Sequence, residues 1–183
     1  MYVPLDKTIE IGLQTEGIEN YCKQSLERIP ENKIGVVLGA GGNTEEWKHK
    51  GWKTMDIDPK HGSDFVGDAN LLTEILGNNS QDFIFAEGLP STSMRENHPG
   101  VSEKTLVEEA AKVLKPGGYL IIKAPANEEG DVVKGIKVQN YIEILKENKF
   151  NGVVEQSTPI SFTLADGTDG GSYRSVMYYA RKQ

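Results

Sequence analysis

Residues 34–44 read Ile34-Gly35-Val36-Val37-Leu38-Gly39-Ala40-Gly41-Gly42-Asn43-Thr44. An apolar run ends at a cluster of glycines, and a helix-start signal follows. This order predicts a buried strand, a tight turn and the first turn of a helix. Glycine adopts backbone angles that other residues avoid and lets a ligand approach main-chain atoms closely. Because the start of a helix adds free N–H groups and a partial positive charge, the segment suits a ligand that is nucleoside-like at one end and anionic at the other.

The helix after the glycines begins with acidic residues. Asn43, with Glu46 three residues later, is the pattern of a capping box. A dinucleotide-binding fingerprint would need a glycine at Thr44, and Glu45 and Glu46 would repel a pyrophosphate. A cationic or zwitterionic ligand tolerates these carboxylates better. The alternative is a glycine-rich turn that binds nothing.

Length and composition indicate one domain. The chain has 183 residues, 37% of them hydrophobic and 26% charged, with a net charge of -7. We expect a single domain over residues 1–183, with an N-terminal segment and helix at 1–30 and a core at 33–183. The acidic balance gives no general attraction to nucleic acid or to an anionic membrane. With no membrane-spanning apolar run and no signal-peptide pattern, we expect a cytoplasmic protein.

Apolar strands and amphipathic helices alternate along the chain. Ser102 is expected to cap one of the helices. Residues 165–171, rich in Gly and Asp, are expected to join the last two strands as an antiparallel hairpin. Strands that alternate with helices predict a doubly wound, mostly parallel α/β sheet with ligands at the carboxyl ends of its strands. The predicted strands are 34–38, 52–57, 65–66, 83–86, 119–122, 153–154 and 175–180, and the predicted helices include 18–29, 71–76, 102–114 and 138–148.

An acidic pair follows the second predicted strand, in Asp56-Ile57-Asp58-Pro59. A carboxylate at the end of such a strand can accept two hydrogen bonds from a ribose diol. Asp56 is the better candidate because it lies where the strand ends. The alternative is that Asp56 or Asp58 only begins a turn before Pro59.

Another acidic residue stands in Gly67-Asp68-Ala69-Asn70. The Asp68 carboxylate could accept a hydrogen bond from an adenine amino group, while Ala69 leaves room for the ring. The alternative is that Asp68 or Asn70 caps the helix that follows. The two roles are compatible.

Several segments, in this order, resemble the class I S-adenosylmethionine-dependent methyltransferases. The resemblance covers about residues 33–125 and implies a seven-stranded sheet whose last strand is inserted antiparallel. It also implies that S-adenosylmethionine binds and that S-adenosylhomocysteine is the product. The segments are Val36-Val37-Leu38-Gly39-Ala40-Gly41, Asp56-Ile57-Asp58, Gly67-Asp68-Ala69, Asp82-Phe83-Ile84-Phe85 and residues 108–120, which include Val113-Leu114-Lys115-Pro116-Gly117-Gly118.

The resemblance assigns roles to residues of this chain. It places Gly39 and Gly41 against the methionine part of the cofactor, Asp56 on the ribose, and Asp68 with Ala69 beside adenine. Glu87, just past the fourth strand, would face the methionine part or the substrate. The predicted cofactor-binding residues are Gly39, Ala40, Gly41, Asp56, Ile57, Asp68, Ala69 and Glu87.

Two positions depart from the pattern of this family. An acidic residue usually stands two positions before the first glycine, where this chain has Val37. That acidic group helps to orient the loop and the amino group of the cofactor. Asn43 replaces the third glycine of the loop, and asparagine tolerates left-handed backbone angles.

Catalytic residues are poorly marked, because methyl transfer needs mainly positioning and sometimes the removal of a proton. An O-methyltransferase base could be His98 or Glu87. The alternatives are that His98 is an exposed turn residue before Pro99 and that Glu87 only binds the cofactor or caps a turn. His49 and His61 lie in charged stretches and are expected to be inert. No metal-ligand spacing is found.

The fourth strand is followed by Glu87-Gly88-Leu89-Pro90, not by an Asn/Asp-Pro-Pro-aromatic tetrad. This argues against an enzyme that methylates an amino group of adenine or glutamine. The leading hypothesis is therefore a methyltransferase that acts on the oxygen or nitrogen of a small molecule. Residues 1–17 are too apolar to remain free in solution. They, or a partner from a homodimer or another protein, would complete the pocket.

Two further hypotheses come from other classes. The replacement of the acidic residue by Val37 favours a non-catalytic binding or assembly protein on the same fold. A nucleotide-dependent oxidoreductase is disfavoured by Thr44, which stands where a glycine is needed, and by Glu45 and Glu46.

Overall fold

The computed structural model describes residues 9–87, 100–126, 131–132, 136–156, 160–163 and 166–183. These ranges form a mixed sheet flanked by helices. The strands are β1 (Ile9–Ile11), β2 (Gly35–Leu38), β3 (Lys53–Asp56), β4 (Phe65–Val66), β5 (Gln81–Glu87), β6 (Leu114–Ala126), β7 (Asp131–Val132), β8 (Ile136–Lys137), β9 (Phe150–Gln156), β10 (Ile160–Thr163) and β11 (Asp169–Lys182). The helices are α1 (Ile18–Glu27), α2 (Thr44–His49), α3 (Leu72–Leu76), α4 (Glu103–Val113) and α5 (Val138–Glu147).

The main sheet runs in the order β1-β9-β11-β6-β5-β2-β3-β4. The strands β6, β5, β2, β3 and β4 are mutually parallel. Strand β11 is antiparallel to both of its neighbours, β6 and β9. The predicted doubly wound sheet with an antiparallel last strand is therefore confirmed. The residues between the last two predicted strands contain β10, which pairs with β11 as an antiparallel hairpin.

Strand β1 adds an eighth strand at the edge of this sheet and was not predicted. It runs antiparallel to β9, with Ile9 opposite Val154 and Ile11 opposite Gly152. Ile11 is fully buried, so this part of the N-terminal segment docks on the domain as expected. Leu13 does not, since it is 80% exposed. The other apolar residues of this segment, Tyr2, Val3 and Leu5, lie outside the described residues.

The two faces of the sheet bury different side chains, because successive residues of a strand point to opposite sides. On β5, Ile84 and Ala86 face α4 and α5. They belong to a cluster of mostly aliphatic buried side chains that also contains Tyr141, Phe150 and Tyr178, and we call it the aliphatic core. Phe83 and Phe85 face the other way, toward α1 and α2. We call this second layer the aromatic core; its buried members are Ile18, Cys22, Val37, Ala40, Trp47, Trp52, Phe83, Phe85, Ile121 and Tyr179.

The helix starts agree with the sequence in one case and differ in another. The Ser102 Oγ accepts from the Thr105 N–H at 3.1 Å, so the predicted cap of α4 is confirmed. The capping box at Asn43 is wrong, because its side chain makes no cap hydrogen bond. A capping residue needs extended backbone angles. Asn43 instead ends a 3₁₀ turn, Gly41–Asn43, at φ -95 and ψ 11, and Glu46 pairs with Lys50 at 3.2 Å.

Candidate functional site

The register of the parallel strands brings three of the predicted site residues into one row. Leu38 on β2 lies opposite Met55 on β3 and Ala86 on β5. The next residue on each strand is Gly39, Asp56 or Glu87. The three residues therefore line the carboxyl edge of the sheet, where parallel α/β sheets bind ligands. Two strand spacings separate the backbones of Asp56 and Glu87, which is about 10 Å.

Side-chain alternation fixes the face on which this row lies. Leu38, Met55 and Ala86 point into the aliphatic core. Because successive side chains of a strand alternate, the side chains of Asp56 and Glu87 point to the opposite face of the sheet, the one that α1 and α2 cover. The predicted acidic residues thus lie on one face of the sheet, at neighbouring strand ends.

The glycine loop leaves its strand with left-handed backbone angles. Gly39 has φ 74 and Gly41 has φ 53, values that residues with a Cβ rarely adopt. The Gly39 N–H donates to the Met55 carbonyl at 2.9 Å, which ties the loop to β3. A Cβ placed on Gly41 or Gly42 would meet no atom within 4 Å. The loop therefore exposes main-chain atoms to open space beside the row.

The Asp56 carboxylate is the most highly connected group of the site. Its Oδ2 accepts from the Gly41 N–H at 3.0 Å, and its Oδ1 accepts from the Asp58 N–H at 2.9 Å. The His61 Nδ1 lies 3.1 Å from the same Oδ1. Burial acts to raise the pKa of Asp56. The hydrogen bonds from Asp58, His61 and Gly41 outweigh burial, so the pKa lies below its ordinary value and the group is a carboxylate at neutral pH.

All three acidic residues weighed for turn roles accept a hydrogen bond from the main-chain N–H two residues further on. Asp58 caps the 3₁₀ turn Pro59–His61, and its Oδ1 accepts from the Lys60 N–H at 2.9 Å. Asp68 caps the 3₁₀ turn Ala69–Leu71 in the same way, with its Oδ1 2.9 Å from the Asn70 N–H. Asp56 begins a turn as well, and it differs from the other two because its second oxygen also holds the glycine loop.

Glu87 ends β5 with a carboxylate oxygen that lacks a partner. Its Oε2 is buried, and no hydrogen-bond donor among the described residues reaches it. A buried carboxylate oxygen without a donor costs free energy, so it marks a place where a donor from a ligand would stabilise the fold. This oxygen fits an ammonium or amino group.

Val37 lies on β2, two residues before Gly39, and its side chain belongs to the aromatic core. It is fully buried in the aromatic core, as is Phe85 on the neighbouring strand. The Trp47 ring from α2 packs on Phe85 with its centroid 5.3 Å away. An ionised acidic residue at position 37 would be desolvated among these rings. Trp47 and Phe85 carry no signal of this position in the sequence, since a buried aromatic residue does not show whether it lies beneath a site.

Ala40, Ile57 and Ala69 are placed differently. Ala40 is buried in the aromatic core and Ala69 in the aliphatic core. Ile57 is exposed just after the end of β3. The remaining predicted residue, His98, lies outside the described residues, as do its neighbours at 88–99.

His61 was expected to be inert in a charged surface stretch, but the structure places its side chain beside a predicted site residue. It lies against the Asp56 carboxylate, because the turn Pro59–His61 folds back over the end of β3 and Gly62 continues at φ 67. A charged neighbourhood in the sequence suggests an exposed surface. It carries no information on which turn brings a side chain back to a strand end.

The described residues include neither a candidate metal cluster nor a helix that could span a membrane. Within them, no group of three or more His, Cys, Asp or Glu side chains could hold a metal ion. Searched over the same residues, the helices include none with the length and apolar character needed to cross a bilayer.

Comparison with solved structures places this geometry in a known architecture. Geranyl diphosphate C-methyltransferase from Streptomyces coelicolor A3(2), crystallised with S-adenosyl-L-homocysteine, superposes with a TM-score of 0.57 at 12% identity, over 90% of this chain and 74% of that one. This chain has the methyltransferase fold. The predicted resemblance is confirmed at the level of the fold.

Other proteins of the methyltransferase fold align over most of this chain. A candidate methyltransferase from Bacillus halodurans C-125 has a TM-score of 0.61 at 14% identity, over 91% of this chain and 99% of that one. Phosphoethanolamine N-methyltransferase 2 from Haemonchus contortus has a TM-score of 0.53 at 13% identity, over 90% of this chain. The chain spans about half the length of the Haemonchus protein, 52%. No family model and no curated protein sequence matches this chain.

Proposed function

We propose that this chain is an S-adenosylmethionine-dependent methyltransferase that acts on an oxygen or nitrogen of a small molecule. The observation that carries the proposal is the row of Asp56, Gly39 and Glu87 at the carboxyl edge of the sheet. It offers a buried carboxylate, a glycine loop and an unpartnered acidic oxygen on adjacent strands. The proteins of this fold that were crystallised with S-adenosylhomocysteine support the same ligand.

The residues of the row fit the parts of an adenosyl amino acid. Asp56 is ionised and would accept from the ribose hydroxyls. The backbone of Gly39, with its left-handed φ, and the open backbone of Gly41 would lie against the amino-acid tail. The unpartnered Oε2 of Glu87 would accept from its ammonium group, which compensates for the valine at position 37.

The adenine end would lie beyond β3 and β4. Ile57, exposed just after the end of β3, offers an apolar surface to the ring. One oxygen of Asp68 already serves as a cap, and the carboxylate has further acceptor sites for an amino group. Ala40 and Ala69 would contribute through the backbone, since their side chains are buried in the cores.

The cofactor would supply an activated methyl group, so the protein has to position the acceptor and, for some acceptors, remove a proton. Glu87 and His98 are the proposed bases. If Glu87 holds the ammonium group, its carboxylate is committed to binding, and His98 is left for the proton. The net charge of -7 favours a small molecule over nucleic acid as the acceptor. A second subunit, or another protein, would complete the pocket.

A non-catalytic binding or assembly protein is the second candidate. Val37 favours it, because the acidic group that usually helps to orient the cofactor is replaced by a side chain of the aromatic core. The two candidates differ in turnover. A chain that binds the cofactor but transfers no labelled methyl group to any small molecule of a metabolite extract would support the second.

Isothermal titration with S-adenosylmethionine and with S-adenosylhomocysteine tests the proposal. We expect saturable binding of both ligands at one site per chain. Absence of heat with either ligand, at high micromolar protein whose fold is verified by circular dichroism, would argue against both the enzyme and its cofactor. A nicotinamide dinucleotide, titrated in parallel, is expected to give no binding and tests the oxidoreductase alternative.

A further inference from the structure

The contact between His61 and Asp56 bears on the proposed ribose site. His61 is the last residue of the turn Pro59–His61, and its side chain is 36% exposed. Asp58 caps the beginning of this turn through the Lys60 N–H. Lys48 on α2 donates from Nζ to the Gly62 carbonyl at 2.8 Å, just past the turn. The backbone of this turn is thus held on both sides of His61, while the imidazole itself is a surface side chain.

Counting acceptor sites shows what this contact does to Asp56. A carboxylate offers about four lone-pair directions, two on each oxygen. Gly41 donates to Oδ2 and Asp58 donates to Oδ1, and the His61 Nδ1 lies 3.1 Å from Oδ1, where it takes up the second direction when it carries a proton. Because the three donors leave one direction free, on Oδ2, the carboxylate cannot accept from both hydroxyls of a ribose while His61 stays in place.

We infer that His61 competes with the ribose diol for Asp56 and that its departure from Oδ1 accompanies ligand binding. This inference rests on the proposed function, since it assumes that Asp56 is the ribose acceptor. Of the three donors, His61 is the one that can leave at low cost. Gly41 and Asp58 donate from the main chain, whereas the imidazole is a side chain at the surface.

The competition depends on the charge of the imidazole. Histidine side chains change charge close to neutral pH, and a cationic donor binds a carboxylate more strongly than a neutral one. The charged groups around His61, among the described residues, are Asp56 on β3, Asp58 and Lys60 in its own turn, and Lys48 on α2. A cationic imidazole at this position should therefore lower the affinity for the adenosyl ligand more than a neutral one.

Two substitutions separate the parts of this inference. His61→Leu removes the donor, so the competition disappears. His61→Asn keeps a donor at nearly the same position but cannot become charged, so the competition persists without its pH dependence. His49→Leu is the matched control, because His49 is an exposed histidine on α2.

S-adenosylhomocysteine is titrated into each protein at pH 6.0 and pH 8.0, and its Kd is measured by calorimetry. We expect His61→Leu to bind at least about threefold more tightly than wild type at pH 6.0, with a smaller gap at pH 8.0. His61→Asn should bind more weakly than His61→Leu at both values, by a factor that does not change with pH. His49→Leu should follow wild type throughout.

The outcomes distinguish this inference from the function on which it rests. Binding by wild type, with His61→Leu equal to or weaker than wild type at pH 6.0, overturns the competition and leaves the proposed function intact. Binding by none of the folded proteins at either pH overturns both. Binding by His61→Leu alone would support both and show that the competition is strong.

Discussion

The main-chain N–H of Gly41 donates to Oδ2 of Asp56 over 3.0 Å. This bond joins the glycine loop after β2 to the acidic end of β3, two elements that are 15 residues apart in the chain. Because Asp56 is buried and ionised, the bond is charge-assisted and stronger than one between neutral groups. It fixes the position of the glycine loop beside the Asp56 carboxylate without any ligand.

Replacing Asp56 by Asn should weaken the binding of S-adenosylhomocysteine at least about tenfold. The amide keeps the shape but loses the charge and one pair of acceptor directions, worth about 1.5–3 kcal/mol for a charge-assisted contact. Calorimetric titration measures the change. Asp58→Asn is the control, because that carboxylate caps a turn and faces no ligand in our proposal. Equal loss in the two variants would contradict the assignment of Asp56 to the ribose.

Gly41→Ala and Gly42→Ala should differ in stability. Both positions have open space for a Cβ, but only Gly41 has a left-handed φ, of 53°. We expect Gly41→Ala to lower the free energy of unfolding by about 1–2 kcal/mol and Gly42→Ala to leave it nearly unchanged. Urea titration followed by tryptophan fluorescence provides the measurement. Equal stability of the two variants would mean that the loop does not need its left-handed residue.

Val37→Asp should destabilise the protein more at pH 8 than at pH 5. The carboxyl would be buried among aromatic rings, so its folded-state pKa would be raised and the folded protein would keep it protonated. Above the unfolded pKa near 3.9, the penalty grows by about 1.4 kcal/mol for each pH unit, until the folded pKa is reached.

Val37→Asn is the matched control for this variant, since it buries a polar group of the same shape that does not titrate. Chemical unfolding of the two variants at both pH values gives the comparison. If the two variants lose the same stability at pH 5 and at pH 8, position 37 tolerates a carboxylate. The aromatic core would then not explain the valine.

Glu109→Gln should destabilise the protein at neutral pH, and this destabilisation should disappear in acid. The Glu109 Oε2 accepts from the N–H of Thr73 at 2.9 Å and also from its hydroxyl, and Lys112 lies 3.7 Å away. Burial acts to raise the pKa of Glu109, but the bonds from Thr73 and the charge of Lys112 outweigh it, so the pKa is lowered. The ionised group therefore stabilises the fold above the unfolded pKa near 4.3, and this contribution is lost as pH falls below that value.

We expect Glu109→Gln to cost about 1 kcal/mol at pH 7 and progressively less below pH 4.3. Thermal unfolding across this range measures the difference from wild type. Glu108→Gln is the control, since its exposed carboxylate lies 3.9 Å from Lys104 and should contribute little at any pH. A difference for Glu109→Gln that stays constant down to pH 3 would contradict the hydrogen-bonded carboxylate.

The strand ends were predictable because their chemistry is local. An apolar run that stops at a glycine or a carboxylate shows where a strand leaves the core, and in parallel sheets such ends share one edge. The cap at Ser102 is local in the same sense. The capping box at Asn43 failed because a 3₁₀ turn already precedes α2, and residue types alone do not reveal this continuation.

Other features needed the folded chain. The fit of Val37 depends on Trp47 and Phe85, which come from different elements and meet only when the helices pack on the sheet. The role of His61 depends on the direction in which one turn leaves β3. The unpartnered oxygen of Glu87 becomes visible only when the donors of the described residues have been placed.

Residue order alone was sufficient for the parallel sheet, the glycine loop and the acidic strand ends, because each follows from backbone preferences and from burial of neighbouring residues. The tertiary structure was needed to show which donors already hold Asp56 and which oxygen of Glu87 has none among the described residues. Hydrogen bonds and desolvation depend on atoms that lie within about 3–4 Å of each other, and these atoms are often far apart in the chain. Their balance at a site is therefore set by packing, which residue order does not express.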